Sequence, residues 1–451
     1  MVVDQQEHEE EVRTGVELFA GGGGLAIAVH QAGFRPLLFN EWARHACQTL
    51  AANVAQRVPD GEKPSLPRIG EPVPLIEGDV QKLDMTYLNG LVDVVAGGPP
   101  CQPFSLGGIA KGDEDKRNMF PHMFRAIREI QPKAVICENV RGLLRPSFKP
   151  YFEYIQRELK LPFERRDDEV AWHVHDAVLL KRLRSGRMPD EERYEVVMTA
   201  VNAADYGVPQ IRHRVMLVAF RADLGVDIDA FEKVVKTPQF SQDALFRSMH
   251  RGEYWERHAS TSSIPEHVID RIQARLPRIL KDDDCQSWRT LRDAVQGFGV
   301  GEKRDAKGKI LPLLPPLASV PLDQLDTRTV QGGIPDHVGW PGARIYDGHT
   351  PNELDSPAKT VKAGVHGVPG GESVMLLDER VPDVSSSNGW RYLHRYMTVR
   401  ETARVMTFPD NWTIAGPRGE KMRQLGNAVP VSLGSFFARA VANALAAAGH
   451  L

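Results

Sequence analysis

Short apolar runs alternate with amphipathic stretches over the first half of the chain. Gly15-Val16-Glu17-Leu18-Phe19 has the composition of a strand, residues 25–32 read as a helix stopped by Gly33, and Pro36-Leu37-Leu38-Phe39-Asn40 as a second strand. Glu77-Gly78-Asp79-Val80 ends a third element, and further apolar runs of strand length occupy 92–96, 134–137 and 215–220. Strands alternating with helices predict an α/β fold, a doubly wound and mainly parallel sheet. After about residue 225 the alternation stops. Residues 240–355 carry prolines, glycines and both charge signs without a clear period, which predicts a smaller, irregular α+β domain of loops and short strands. Residues 430–448 form an alanine-rich amphipathic helix pattern, and the charged stretch between Leu159 and Tyr194 reads as a solvated helix or insertion.

A chain of 451 residues is too long for one ordinary core. The pattern divides it into an acidic extension (1–13), a first domain (14–225), a second domain (226–395) and a C-terminal segment (396–451) whose last helix is expected to complete the first domain. Charged residues make up 25% and hydrophobic ones 42%, the balance of a soluble globular protein. No apolar run reaches membrane-spanning length and the acidic start is unlike a targeting peptide, so a cytoplasmic protein without a membrane partner is expected. A net charge of -3 carries no global sign of nucleic-acid binding, although a basic cleft can sit on an acidic protein. The four cysteines, at 47, 101, 137 and 285, have neither CxxC spacing nor a neighbouring histidine cluster, so neither a disulfide framework nor a metal site is expected. Cys137, inside Ala134-Val135-Ile136-Cys137, reads as a small buried hydrophobe, and Cys47, in a helix-like stretch, as the same.

Cys101 is different. It sits in Gly97-Gly98-Pro99-Pro100-Cys101-Gln102-Pro103-Phe104-Ser105, a stiff turn directly after a strand-like run. Such a turn presents a thiol at a sheet edge, where a local field that stabilises the thiolate makes it a nucleophile. A second motif, Phe19-Ala20-Gly21-Gly22-Gly23-Gly24, lies between a strand and a helix, where glycines let the backbone approach a ligand closely. Glu41 follows about 20 residues on, the position of a ribose-binding carboxylate, and Trp42 is placed to stack on an adenine. No P-loop lysine is present, so the expected ligand bears adenosine but not a triphosphate. Third, Glu138-Asn139-Val140 ends a strand and would point a carboxyl into the crevice of an open sheet, where burial would let it hold a proton. Fourth, in Gln210-Ile211-Arg212-His213-Arg214, strand alternation would put Gln210, Arg212 and Arg214 on one face, able to engage a phosphate or a base carbonyl.

In this order the four motifs resemble the DNA cytosine-5 methyltransferase family, bacterial type. The resemblance continues through Asp355-Ser356-Pro357-Ala358-Lys359-Thr360-Val361, Tyr396-Met397-Thr398-Val399-Arg400-Glu401, Phe408-Pro409-Asp410 and Gln424-Leu425-Gly426-Asn427-Ala428-Val429-Pro430. It implies a Rossmann-like methyltransferase fold with a target-recognition domain in the irregular region. It also implies S-adenosyl-L-methionine as cofactor, S-adenosyl-L-homocysteine as product and double-stranded DNA as partner. Cys101 would then add to carbon 6 of a flipped cytosine, Glu138 would protonate ring nitrogen 3, and Arg214, helped by Arg212, would hold the exocyclic oxygen. Phe19, Gly21, Gly23, Glu41, Trp42, Asp79, Val80, Pro100, Asn427 and Val429 would surround the cofactor. Gln102, Ser105, Arg344, Tyr346, His349, Lys362 and His366 are the candidates for DNA contact. A monomer associated with the nucleoid is expected, with a restriction endonuclease as functional counterpart. Two departures stand out: Glu17 replaces the family's usual Asp, and Met406 stands where Gln is common. A tRNA cytosine-5 methyltransferase of the same fold and a non-catalytic DNA-binding regulator are the alternatives. The size of the 225–355 segment favours DNA over the first, and the intact Cys101, Glu138, Arg212 and Arg214 speak against the second.

Overall fold

The computed structural model describes residues 13–100, 118–167, 169–259, 261–298, 313–322, 328–340, 350–363 and 373–450. The chain opens with β1 (Thr14–Leu18), α1 (Gly24–Gln31), β2 (Arg35–Glu41), α2 (Arg44–Asn53), β3 (Ala55–Arg57), β4 (Val73–Glu77) and β5 (Val94–Gly97). It continues through α3 (Phe120–Ile130), β6 (Ala134–Val140), α4 (Lys149–Lys160), α5 (Trp172–Ser185), β7 (Tyr194–Asn202), β8 (His213–Arg221) and α6 (Ile228–Lys236). These strands form one eight-stranded sheet in the order β3-β4-β2-β1-β5-β6-β8-β7. From β3 across to β6 every pairing is parallel, and β8 runs antiparallel to β6. The fold is thus a Rossmann-like α/β sheet.

The apolar period explains the layering. In α3, Phe120, Met123, Phe124, Ile127 and Ile130 recur at helical spacing and are all buried. They pack with Val16 and Leu18 of β1, Val95 of β5 and Val135 and Cys137 of β6 in one core. Register places the strand ends level, because Leu18 pairs with both Asn40 and Gly97, and Gly97 with Cys137. The loop after β1, Glu41, Gly98 and Glu138 therefore share one edge of the sheet, where open α/β sheets bind ligands. At Gly97 a side chain could not fit: a Cβ would lie 2.6 Å from the Leu18 carbonyl and 2.8 Å from Met123 Cε. Cys47 and Cys137 are buried, and burial pushes the Cys137 thiol up to about 12.

The chain folds into two compact units. One gathers the residues up to Ala200, Arg214–Thr237 and those from Gly434 onward; the other comprises Val201–His213 and Pro238–Leu433. In the second unit the expected loops at 240–355 also include four α-helices among the described residues. The chain there forms β9 (Phe240–Ser241), α7 (Gln242–Arg251), α8 (Glu253–Ala259), α9 (Glu266–Gln273), β10 (Gln286–Ser287) and α10 (Leu291–Gln296). Caps explain what the short, weakly periodic sequence hid. Ser241 Oγ accepts from the Ala244 amide, and Thr290 with Asp293 closes a capping box on α10. The hairpin β11 (Val374–Pro382) and β12 (Trp390–Tyr396) leads into α11 (Val399–Val405), α12 (Arg418–Asn427) and α13 (Val431–Ala447). Ion pairs made by buried arginines join these pieces: Arg292 with Asp355 and Asp378, Arg395 with Glu401, and Arg404 with Asp410.

Candidate active site

At the level strand ends, the Phe19–Gly24 loop turns under a backbone constraint. Gly21 and Gly23 have φ of 55° and 90°, and Phe19, although not glycine, has φ 57°. The Ala20 amide donates to the Asn40 carbonyl at 3.1 Å and the Gly23 amide to the Ala20 carbonyl at 3.0 Å, so the turn is locked to β2. Glu41 completes it. One carboxylate oxygen accepts from the Gly21 amide at 2.7 Å, the other from the Trp42 and Ala43 amides at 2.9 and 2.7 Å. Beside it the Trp42 indole is 70% exposed, an unusual position for an aromatic of that size. Asp79 accepts from the Gln81 amide at 3.0 Å and caps a short turn, while Val80 is buried with its carbonyl bound by Arg125. Glu17, which the sequence marked only as a departure, is buried in β1, and its Oε2 has no hydrogen-bond partner among the described residues. Desolvation, reinforced by Glu41, raises its carboxyl well above the usual carboxylate range.

At the other side of the edge, Glu138 lies 7% exposed at the end of β6. Its Oε1 is 2.7 Å from Arg214 Nε on β8, which pairs antiparallel with β6. Gly98 lies against the same carboxyl: a Cβ there would be 3.6 Å from Glu138 Oε2. Asn139, next to the acid, donates from Nδ2 to the Pro99 carbonyl at 2.9 Å. This buried bond fixes the turn ahead of Cys101, a role for Asn139 that no spacing rule signals. Pro100 is exposed, and its carbonyl accepts from the Met119 amide at 3.2 Å. Cys101, Gln102 and Ser105 lie outside the described residues, as do Arg344, Tyr346, His349 and His366.

One expectation is corrected. The alternation that would put Gln210, Arg212 and Arg214 on one face does not hold, because β8 begins only at His213. Gln210 and Arg212 are buried in the second unit at 0% and 1% exposure. Gln210 Oε1 accepts from the Val361 amide, and its Nε2 lies 3.0 Å from Met406 Sδ. Arg212 donates to the carbonyls of Val361, Gly426 and Ala428 at 3.0, 2.7 and 3.0 Å. Its guanidinium is therefore committed to backbone rather than offered to a base, and of this trio only Arg214 stands beside Glu138. The same stitching explains the late motifs. Gly426 presses on residues 362–363, where a Cβ would fall 2.4 Å from the Ala363 nitrogen. Asn427 and Lys362 are exposed and Val429 is buried.

Known proteins resemble this chain over nearly its whole length. The model of the C-5 cytosine-specific DNA methylase family matches residues 14–177 and 187–443. Type II methyltransferase M.Eco47II of Escherichia coli is 28% identical over 449 residues, which cover 98% of this chain and 82% of that protein. Type II methyltransferase M.HhaI of Haemophilus parahaemolyticus is 24% identical over 432 residues, covering 95% of this chain and 94% of its own length. Among solved structures, the methyltransferase EhMeth of Entamoeba histolytica matches with a TM-score of 0.49 at 12% identity, over 96% of this chain and 99% of that one. The match extends over both units and every motif that builds the sheet edge, and the chain belongs to the C-5 cytosine-specific DNA methylase family.

Proposed function

We propose that Cys101 is the nucleophile of a DNA cytosine-5 methyltransferase that acts at a specific sequence. The observation that carries this reading is the buried Glu138–Arg214 pair, set against the Gly97–Pro100 turn that leads into Cys101. The target carbon is inaccessible in a stacked duplex, so the cytosine must first leave the helix, at a cost of a few kcal/mol. Arg214 then holds the exocyclic oxygen of the base, and Glu138 delivers a proton to ring nitrogen 3. Protonation makes carbon 6 electrophilic, the Cys101 sulfur bonds to it, and electron density moves to carbon 5. Arg212 serves by holding the second unit's backbone, not by touching the base.

The residues at the edge fit S-adenosylmethionine. The φ-positive glycines leave open space, with nothing within 4 Å of a Cβ placed on Gly21, and Glu41 with Asp79 supplies negative charge that suits a cationic ligand with ribose hydroxyls. Phe19, Gly21, Gly23, Glu41, Trp42, Asp79, Val80 and Pro100 would hold it. When bound, it supplies the electrophilic methyl group for carbon 5. A water molecule would take the carbon-5 proton as the carbon 6–sulfur bond breaks, returning the Cys101 thiolate and the aromatic ring, and Glu138 would recover the nitrogen-3 proton.

The enzyme works on cytoplasmic double-stranded DNA, as a monomer paired functionally with a restriction endonuclease. Incubation with labelled S-adenosylmethionine and duplex DNA tests the reading, with tRNA as a parallel substrate. Label is expected in DNA and not in tRNA, and Cys101→Ala abolishes it. Undiminished labelling by Cys101→Ala, or labelling of tRNA alone, would overturn the assignment. Bisulfite sequencing of DNA from an expressing strain identifies the target site.

A further inference from the structure

The charged stretch between Leu159 and Tyr194 has no part in the chemistry described so far, yet it contributes α5, and α5 is not a solvated helix on every side. Leu179 and His175 are buried. Trp172, at its first turn, packs edge-on against Tyr151 of α4 with ring centroids 5.3 Å apart, and lies 5.5 Å from Tyr154. His175 Nδ1 is 3.1 Å from the Tyr154 hydroxyl. These contacts fix two aromatic side chains one turn apart on α4.

What Tyr151 then holds is Asn118. The Asn118 amide donates to the Tyr151 hydroxyl at 2.5 Å, a buried bond. Asn118 is the residue at which the chain re-enters the described fold after the segment that carries Cys101. The next residue, Met119, closes that segment by donating its amide to the Pro100 carbonyl. The start of the segment is held separately, by Asn139 on Pro99. A continuous line of contacts therefore runs from Trp172 through Tyr151 to Asn118.

We propose that Trp172, Tyr151 and Asn118 are positioning residues that set the placement of the nucleophile, with α5 as an outer brace on the segment bearing Cys101. The chemical reason is one of tolerance. A nucleophile must come within about 3–3.5 Å of its carbon, and a displacement of about 1 Å costs rate far more than it costs stability. The hydrogen bond to the Tyr151 hydroxyl holds Asn118 between uncharged groups. This inference rests on Cys101 as nucleophile, and its test separates the two.

The rate of covalent adduct formation is measured in single turnover on a duplex carrying 5-fluorocytosine, with S-adenosylmethionine present. Kd for S-adenosylhomocysteine and the melting temperature are measured alongside. Tyr151→Phe removes only the hydroxyl and is expected to slow the adduct roughly 5- to 10-fold. Kd should be unchanged and melting nearly so. Asn118→Ala, which also gives up the 3.4 Å bond from the Phe120 amide to Asn118 Oδ1, should slow it at least as much, and the double variant no more than Asn118→Ala alone, because the Tyr151 bond is already gone there. Trp172→Phe keeps an aromatic brace and should restore most of the rate that Trp172→Ala loses. If the wild-type protein forms no adduct, the assignment of Cys101 fails. If the wild-type protein forms one and Tyr151→Phe forms it equally fast, or if the Tyr151 and Asn118 losses simply add, the brace fails.

Discussion

Arg212 and Arg214 lie two positions apart, and their guanidinium groups do different work. Arg214 faces Glu138 across 2.7 Å at the sheet edge, while Arg212 ties three carbonyls drawn from residues 361, 426 and 428. Replacing Arg214 by Ala should leave the fold intact and cut methyl transfer by about 10²–10⁴-fold, the scale of a lost catalytic group. Arg212→Met should do the reverse in the first instance. Three buried carbonyls lose their donor at roughly 1–3 kcal/mol each, so urea unfolding should show a loss of about 3 kcal/mol or more. Circular dichroism melts beside the labelling assay distinguish the two outcomes. Equal melting of both variants would show that Arg212 carries no such load.

At the scale of elements, α4 carries a titratable group in its packed face. Glu158 is 5% exposed, and desolvation pushes its carboxyl up to about 7, with Tyr154, Arg166 and Arg128 pulling the other way. The unfolded carboxyl titrates near ~4.3. Between those values the folded state keeps a proton that the unfolded state has released, so stability is full below the lower value and declines as pH rises through the upper one. Urea midpoints at pH 5 and 8 should therefore differ more in the wild-type protein than in Glu158→Gln, by about 2 kcal/mol. In the second unit, Gly426→Ala would drive a Cβ into the backbone at 363, and about 2 kcal/mol or more of stability should be lost in the same assay. Strands were readable in the sequence where runs such as Val94-Val95-Ala96 and Leu37-Leu38-Phe39 are buried on both faces. The helices α7 to α10 were not, because they run only six to ten residues, and α7 and α10 owe their starts to the Ser241 and Thr290 caps. The same holds at the site. Glu138 and Glu41 could be placed from strand ends alone. The turning of Arg212 away from Arg214 depends on where β8 begins, which no spacing rule specifies.

For the molecule as a whole, the first compact unit is assembled from three separate stretches of chain. Its last stretch contributes Phe437, Val441 and Leu445 of α13, all fully buried. Burying three such side chains is worth roughly 1.5–3 kcal/mol each, comparable with the whole stability of an ordinary domain. A chain ending at residue 237 should therefore show no cooperative transition by calorimetry, whereas the full chain should unfold with a sharp heat-absorption peak.

The bond between the Met119 amide and the Pro100 carbonyl has a consequence of an evolutionary kind. Pro100 and Met119 meet at that bond, so the end of β5 and the start of α3 are held together whatever the length of the chain between them. Doubling a loop closed in this way costs only about 0.6 kcal/mol. Changes of length between the two ends leave the strands standing, and descendants can vary there while inheriting the same scaffold.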